Sequence, residues 1–299
     1  MRMKLGIAPI NWCNDDDPSL GKDISFEQSI REMAEAGFVG TEIGSKYPCD
    51  PVLLKAALSQ HNLEVPAAWF STYFTEPERY EETLLRFLEQ LSFLRAMGAH
   101  YINVCECGHS IQQTSHPVVG EKKPIFTEAQ WEALIRGLHR IGRIAHDFDV
   151  KIVYHYHAGT GVFTEQEIDF LMQHTSDTLV SLLVDTGHAV VAGIDPVHLI
   201  TRYANRVKYV HLKDIRKPIL ATMLAKKWSF MDSVRAGVFT VPGDGDIDFA
   251  TVIAALNKIR YQGWLLVEAE QDPAKAPPLH YAKKAHQYMS SLLGGLHVA

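Results

Sequence analysis

Short apolar runs alternate along the chain with longer segments in which apolar residues recur every three or four positions. The short runs are typical of buried parallel strands, and the longer segments are typical of the helices that cover them. We predict eight strands, at Lys4–Ile10, Gly40–Gly44, Glu64–Phe70, Tyr101–Cys107, Lys151–His157, Val180–Asp185, Val207–Lys213 and Trp264–Glu270. This alternation predicts an α/β fold with a parallel sheet.

The starts of the predicted helices carry independent signals. Ser25, Thr127 and Thr164 are each followed three residues later by Gln or Glu, which is the spacing of a capping box. Asp50-Pro51 and Asp195-Pro196 combine an N-cap residue with proline at the first helical position. These signals place helices between the predicted strands.

Eight strand–helix units favour a (β/α)₈ TIM barrel, which we predict as one domain over residues 1–299. The chain has no Pro/Ser-rich linker, and no Gly-x-Gly-x-x-Gly motif follows its first strand, so a doubly wound dinucleotide fold is disfavoured. Long loops are predicted at 108–126 and 215–247, the second with a short helix around Ala221–Val234. We expect them to carry substrate specificity, with plain insertions as the alternative.

Composition excludes several classes of protein. Lys and Arg total 29 against 35 Asp and Glu, a formal net charge of −6, and no basic stripe suggests a nucleic-acid partner. No apolar stretch approaches the roughly 20 residues of a membrane span, and Leu5–Trp12 is too short for a secretion signal. The four cysteines lack the spacing of a zinc knuckle. We expect reduced thiols in a soluble cytoplasmic protein.

Polar residues cluster where the last four predicted strands end. The groups are Tyr154-His155-Tyr156-His157, Asp185-Thr186-Gly187-His188, His211-Leu212-Lys213-Asp214 and Glu268-Ala269-Glu270. Strand side chains alternate between two faces, so residues two apart within a group share a face. Several nitrogens and carboxylates could therefore converge on the barrel axis.

Such a convergence suggests a metal ion. Any one strand-end histidine is more often structural than a ligand, but buried carboxylates are costly to leave unpaired, and a divalent cation would satisfy several at once. Mixed oxygen and nitrogen donors suit Mn²⁺, Co²⁺, Fe²⁺ or Zn²⁺ better than Ca²⁺.

Several motifs resemble the xylose-isomerase-like barrel superfamily of sugar isomerases, epimerases and dehydratases. They are Val184–His188, Val210–Asp214, Val241–Phe249 and a Glu that closes strand eight, and the resemblance spans essentially the whole chain. Three further stretches are similar to the myo-inosose-2 dehydratase family of inositol catabolism: Gly6–Trp12 with Asn14–Asp16, His155–Gly161 and Val267–Pro273.

The resemblance implies a hydro-lyase that dehydrates 2-keto-myo-inositol to a trihydroxycyclohexane-1,2-dione, with Mn²⁺ or Co²⁺ and a requirement for glutathione. It implies Asp185, His211 and Glu268 as metal ligands. Relatives usually have a fourth ligand, Glu, at the end of strand five, where this chain has Tyr154–His157. Either His155 takes that place, or three protein ligands and more water complete the site.

For proton transfer we predict the side chains that would stand beside these ligands: Lys213, His188, Glu270 and His157. Lys213 could instead form a salt bridge, and Glu270 could orient a ligand. We predict substrate contacts for the remaining strand-end candidates, Glu42, Glu106 and His155. For Glu42 and Glu106 the alternative is an ion pair with a neighbouring Lys or Arg.

Three other functions remain open at this point. A sugar or polyol isomerase or epimerase would share proton abstraction beside a metal-bound ketone. A metal-dependent nuclease would need a basic groove, which the charge disfavours. A sugar-binding protein without catalysis would retain the barrel alone. The expected partner is a small polyol ketone, and the chain could form a homo-oligomer.

Overall fold

A computed structural model describes residues 3–294 of the chain, so the predicted domain bounds 1–299 extend past the described residues at both ends. Within that range the strands are β1 Lys4–Ile7, β2 Trp69–Thr72, β3 Tyr101–Glu106, β4 Lys151–His155, β5 Val180–Asp185, β6 Val207–Leu212, β7 Asp214–Ile215, β8 Phe239–Thr240 and β9 Trp264–Val267. The α-helices are α1 Phe26–Glu35, α2 Pro51–Ser59, α3 Tyr80–Met97, α4 Glu128–Asp147, α5 Glu165–His174, α6 Thr186–Val191, α7 Pro196–Arg202, α8 Lys217–Lys226, α9 Phe230–Ala236, α10 Phe249–Lys258 and α11 Pro278–Gly294.

The main sheet is parallel and has the order β1-β9-β6-β5-β4-β3-β2. Its two edge strands are joined through Gly40 and Thr41, which form parallel bridges to Glu64 and Ile7 respectively. Ile7 N donates to Gly40 O at 3.0 Å, and Thr41 N donates to Glu64 O at 2.9 Å. The backbone ladder therefore runs around the complete circle, and the predicted TIM barrel is confirmed.

The predicted second strand, Gly40–Gly44, is wrong in its length. Only Gly40 and Thr41 make ladder contacts, and the third strand begins at Trp69, with Glu64 contributing one bridge. A crowded neighbourhood explains the need for glycine at Gly40, because a Cβ there would lie 2.5 Å from the Trp264 ring. The Trp264 indole fills the space beside Gly40. The barrel therefore closes through a residue without a side chain at this position.

The predicted helix caps are present. Thr127 and Thr164 form complete capping boxes with Gln130 and Glu167. At Ser25 the hydroxyl accepts from Gln28 N, whereas the Gln28 side chain donates to Glu32 instead. Asp50 and Asp195 likewise cap α2 and α7 ahead of the predicted prolines.

The two long loops meet above the barrel. Residues 108–126 contain neither helix nor sheet strand, and Val118 N donates to Trp228 O at 3.1 Å. Residues 215–247 hold α8 and α9 rather than the single predicted helix, because Lys227 adopts a left-handed conformation and Ser229 caps α9. A separate apolar cluster, which includes Val118, Phe230 and Phe239, packs the two loops together. Within residues 3–294, every helix is too short or too polar to cross a membrane.

Candidate metal centre and active site

A cavity of about 360 Å³ opens at the carboxyl ends of the barrel strands. Its walls include Glu42, Trp69, His157, Glu268 and Glu270, together with segments of the first β–α loop and of loop 108–126. The carboxyl end of a TIM barrel is the usual place for catalysis, because eight independent loops meet there.

Four potential ligands converge beside this cavity, and we call them the metal group: His155, Asp185, His211 and Glu268. Of these, His211 and Glu268 line the cavity. Each offers one donor atom, and these four atoms all lie within 4.8 Å of one another. Asp185 Oδ2 is 3.5 Å from His155 Nε2 and 3.7 Å from His211 Nδ1, and His211 Nδ1 also contacts Glu268 Oε2. The four residues are buried.

The sequence Asp185-Thr186-Gly187-His188 explains how Asp185 is positioned. Asp185 Oδ1 accepts from His188 N at 2.8 Å and so caps α6. Its other oxygen, Oδ2, faces His155 Nε2 and His211 Nδ1 and is buried without a hydrogen-bond partner in the described part of the chain. Buried polar atoms are normally paired. An unpaired carboxylate oxygen between two imidazoles fits a metal ion well.

His211 is oriented from its other side. Glu42 Oε1 accepts from His211 Nε2 at 3.0 Å, and Asn103 Nδ2 donates to the same Glu42 oxygen at 2.6 Å. A carboxylate on the far nitrogen of an imidazole fixes its tautomer and leaves Nδ1 free to bind a metal. Glu42 therefore orients the His211 ring and also lines the cavity.

The charges of the metal group depend on one another. Burial alone would lower the pKa of His211, but the carboxylates of Glu268 and Glu42 raise it well above its usual value. Burial would raise the pKa of Glu268, but His211 and Lys213 hold it below its usual range. Burial lowers the pKa of His155, which favours the neutral imidazole that metals bind.

Next to the metal group lies the lysine group, which consists of His157, His188, Glu270 and Lys213. The ligand atoms of His157, His188 and Glu270 also lie within 4.8 Å of one another. Lys213 Nζ lies among them, 2.9 Å from Glu270 Oε2 and 3.0 Å from His188 Nε2, and it is 2.9 Å from Glu268 Oε1. The ammonium thus links the two groups.

Burial and charge fix the protonation of Lys213 and His188. Burial would lower the pKa of Lys213, but Asp185, Glu268 and Glu270 raise it above its usual value. Burial, followed by the charges of His157 and Lys213, puts the pKa of His188 well below its usual value. Lys213 is therefore cationic and His188 neutral near pH 7.

Glu106 lies outside this arrangement, and the predicted substrate role needs correction. It is completely buried, and it is not among the residues that line the cavity. Its two carboxylate oxygens accept from Thr72 Oγ1, Phe74 N, Thr75 N, Thr75 Oγ1 and Gly108 N. Glu106 instead fixes the backbone that follows β2 and β3, because both oxygens are used by those donors. Among the described residues, Glu106 has no Lys or Arg partner either.

The Gly-Asp-Gly stretch that follows β8 is likewise structural. Asp214 accepts from the backbone N–H groups of Ile215, Gly243, Gly245 and Ile247 at 2.8 to 3.1 Å. This single carboxylate shapes the turn that leads into α10. The Gly-Asp-Gly motif therefore has a structural role in this turn, as the partner of Asp214.

Other residues at the site were not predicted. Trp69 packs edge-on against His155 and His157, with ring centroids 5.4 and 5.7 Å apart. The Gln112 side-chain nitrogen lies 2.7 Å from His157 Nδ1. Asn103 could have been noticed as a polar residue in an apolar strand, whereas the position of Gln112 depends on the loop conformation.

Comparison with known proteins agrees with the fold and the site. The model of a family described as xylose isomerase-like TIM barrel matches residues 30–292. An inosose dehydratase of Clostridium tetani is 51% identical over 288 residues, which is 96% of each chain. An inosose dehydratase of Geobacillus thermodenitrificans is 51% identical over 293 residues, which is 98% of each chain. The chain belongs to the inosose dehydratase family.

Solved structures relate the inosose dehydratase family to a wider set of barrels. The IOLI protein with a bound zinc atom superposes with a TM-score of 0.72 at 15% identity, covering 98% of this chain and 99% of that one. A D-allulose 3-epimerase from Methylomonas sp. superposes with a TM-score of 0.68 at 19% identity, covering 97% of each chain. At these identities the likeness concerns the fold alone.

Proposed function

We propose that the chain is a hydro-lyase that dehydrates 2-keto-myo-inositol to a trihydroxycyclohexane-1,2-dione in inositol catabolism. The observation that carries this proposal is the identity of about half of all residues, over almost the full length, with proteins named inosose dehydratase. A second observation supports it: the cavity has carboxylates and imidazoles on its walls, which suit a small polyol ketone.

The proposed metal ligands are Asp185, His211, Glu268 and His155, and the proposed ion is Mn²⁺ or Co²⁺. The orphaned Asp185 Oδ2 and the mixed carboxylate and imidazole donors support this choice. A divalent ion held there would polarise the ketone and lower the cost of the negative charge that forms when the neighbouring proton leaves.

The residues of the lysine group then divide into two roles. Glu270 and His157 line the cavity, so one of them can take the proton from the carbon beside the ketone. Lys213 and His188 are completely buried and are not among the cavity-lining residues. Lys213 fixes the carboxylates of Glu268 and Glu270, and its charge stabilises the enolate. The neutral His188 imidazole accepts from the Lys213 ammonium at 3.0 Å.

The other expectations from the sequence stay proposals. We propose a cytoplasmic enzyme that can form a homo-oligomer and acts on a free small molecule rather than on nucleic acid or membranes. Glutathione is retained as a required addition to the assay, and no residue is assigned to it. His155 is proposed as a metal ligand in preference to a direct substrate contact, because it lies behind the cavity wall.

One experiment tests the activity. Chelator-treated protein is incubated with 2-keto-myo-inositol and glutathione, with and without added Mn²⁺ or Co²⁺, and dione formation is followed by ultraviolet absorbance. We expect metal-dependent dione. Epimerised inosose carrying solvent deuterium, without dione, would identify an epimerase instead. No reaction with any inosose or ketose would favour a sugar-binding protein.

A further inference from the structure

Asp16 lies at the cavity, in the loop between β1 and α1. The loop is held in place by Asn14, a buried side chain whose Oδ1 accepts from Asp16 N at 2.8 Å and from Asp17 N at 3.0 Å. The backbone of Asp16 is therefore fixed by a side chain two residues earlier, as in an Asx turn.

Both long loops also reach this position. Gln113 Nε2, in loop 108–126, donates to Asp16 Oδ1 at 3.1 Å. Arg235, in α9, forms an ion pair with the adjacent Asp17 at 2.7 Å. Gln113 thus holds the Asp16 carboxyl directly, and Asn14 and Arg235 hold the backbone around it. The other carboxyl oxygen, Oδ2, accepts no hydrogen bond from the described residues.

Dehydration needs an acid as well as a base, since hydroxide is a poor leaving group. Of the four candidates from the sequence, Lys213 and His188 lie behind the wall, and Glu270 accepts from the Lys213 ammonium. His157 and Glu270 adjoin each other, with His157 Nε2 at 3.8 Å from Glu270 Oε1, and one of them is the proposed base. Asp16 is a further cavity-lining group, away from this pair in the chain, that can deliver the other proton.

The surroundings of Asp16 favour that role. Burial raises the pKa of its carboxyl, and the charges of Glu270 and Asp15 raise it further, whereas the Gln113 hydrogen bond and His157 lower it. The pKa rises overall, so Asp16 holds its proton at a higher pH than an exposed aspartate does. A carboxyl whose pKa is raised is better suited than an exposed aspartate to act as a general acid.

We propose that Asp16 is the catalytic acid that protonates the departing hydroxyl. The C–O bond breaks, its electron pair stays on oxygen, and that oxygen takes the Asp16 proton and leaves as water. The enolate electrons form the new carbon–carbon double bond. Asp16 is left as a carboxylate and regains its proton from solvent. This assignment rests on the proposed dehydratase activity.

The first test separates proton removal from loss of the hydroxyl in Asp16→Asn. Exchange of the α-hydrogen is followed by mass spectrometry in deuterated water, and dione is followed by absorbance. We expect dione formation to fall about 10²-fold while exchange continues near the wild-type rate. Dione formation at the wild-type rate would overturn the assignment, and so would an equal fall in both rates.

A substrate analogue with fluoride in place of the departing hydroxyl gives a second readout. Fluoride leaves with little need for a proton, so Asp16→Asn should process the analogue almost as fast as wild type does. An equal deficit on both substrates would mean that Asp16 only shapes the site, which would overturn the proposal.

The matched control is Asp23→Asn, which removes the same charge from the same loop. Asp23 is exposed and is not among the cavity-lining residues, so this variant should stay close to wild type. A loss equal to that of Asp16→Asn would assign the effect to loop charge and overturn the proposal. If wild type itself forms no dione, the dehydratase proposal fails, and the acid role fails with it. If wild type forms dione and Asp16→Asn forms it at the same rate, the acid role alone fails.

Discussion

The metal group and the lysine group contain the same kinds of side chain and lie side by side, yet they differ in the source of positive charge. Each has three or four ligand atoms within 4.8 Å of one another. In the lysine group, the Lys213 ammonium lies 2.9 to 3.0 Å from Glu270 and His188. In the metal group, Asp185 Oδ2 has no hydrogen-bond partner within residues 3–294, and Lys213 approaches it only to 3.6 Å.

A cluster of ligand-type residues therefore does not by itself indicate a metal ion. Carboxylates that are buried together need a counter-charge, which can come from a side chain or from an ion. In the lysine group the chain supplies that charge itself. In the metal group the incomplete pairing of Asp185 favours an ion from solution.

The largest expected effect comes from removing ligands of the metal group. Asp185→Asn, His211→Ala and Glu268→Gln should each lose bound metal in elemental analysis. Dione formation should fall roughly 10³-fold or more, because a bound metal supplies several kcal/mol of transition-state stabilisation. Stoichiometric metal and full activity in all three variants would contradict the hypothesis that the metal group binds the ion.

A smaller effect is expected from Lys213→Met, which removes the internal cation of the lysine group. Turnover should fall by about 10²-fold, because Glu270 loses the ammonium that lies 2.9 Å from its Oε2. Metal content should stay unchanged, since the proposed ligands remain. An activity loss that only follows a lower melting temperature would instead support a purely structural salt bridge.

Much of the fold could be predicted from local signals. Capping at Thr127 and Thr164 depends on neighbouring residues only, so the sequence reveals it. The predicted strand Gly40–Gly44 is too long. The space at Gly40 is limited by Trp264, which lies more than 200 residues away in the chain, so the local sequence does not reveal it. Similarly, Gly187 is required because a Cβ would lie 2.6 Å from Lys213 Cγ, a contact that only the folded barrel reveals.

The candidate site could be predicted where strands position it and not where loops do. Asp185, His211 and Glu268 come together because parallel strands bring their carboxyl ends to one edge. Asp16 was not singled out, since its position depends on Asn14 and on a contact with Gln113 about 100 residues away. The sequence shows the residue types in these loops but not their mutual distances.

The weakest effect on activity is expected at Glu106, which the sequence predicts as a substrate contact, in contrast to the predicted metal ligand Glu268. Glu106 and Glu268 both stand at the carboxyl ends of apolar strands, but Glu106 accepts five hydrogen bonds from backbone N–H and threonine hydroxyl groups, whereas Glu268 contacts His211 and Lys213. In Glu106→Gln the new amide nitrogen would face N–H or O–H donors. The free energy of unfolding should fall by about 1–3 kcal/mol, the cost of leaving buried groups unsatisfied.

Because Glu106 touches neither the metal group nor the cavity, Glu106→Gln should keep its metal and most of its turnover at a temperature where it stays folded. The variant is therefore also the matched control for Glu268→Gln, since both exchange one buried strand-end carboxylate for an amide. Denaturant unfolding and elemental analysis of the two proteins, side by side, measure both effects. If Glu106→Gln lost metal while its stability stayed unchanged, Glu106 would belong to the site after all, and the predicted substrate role would regain support.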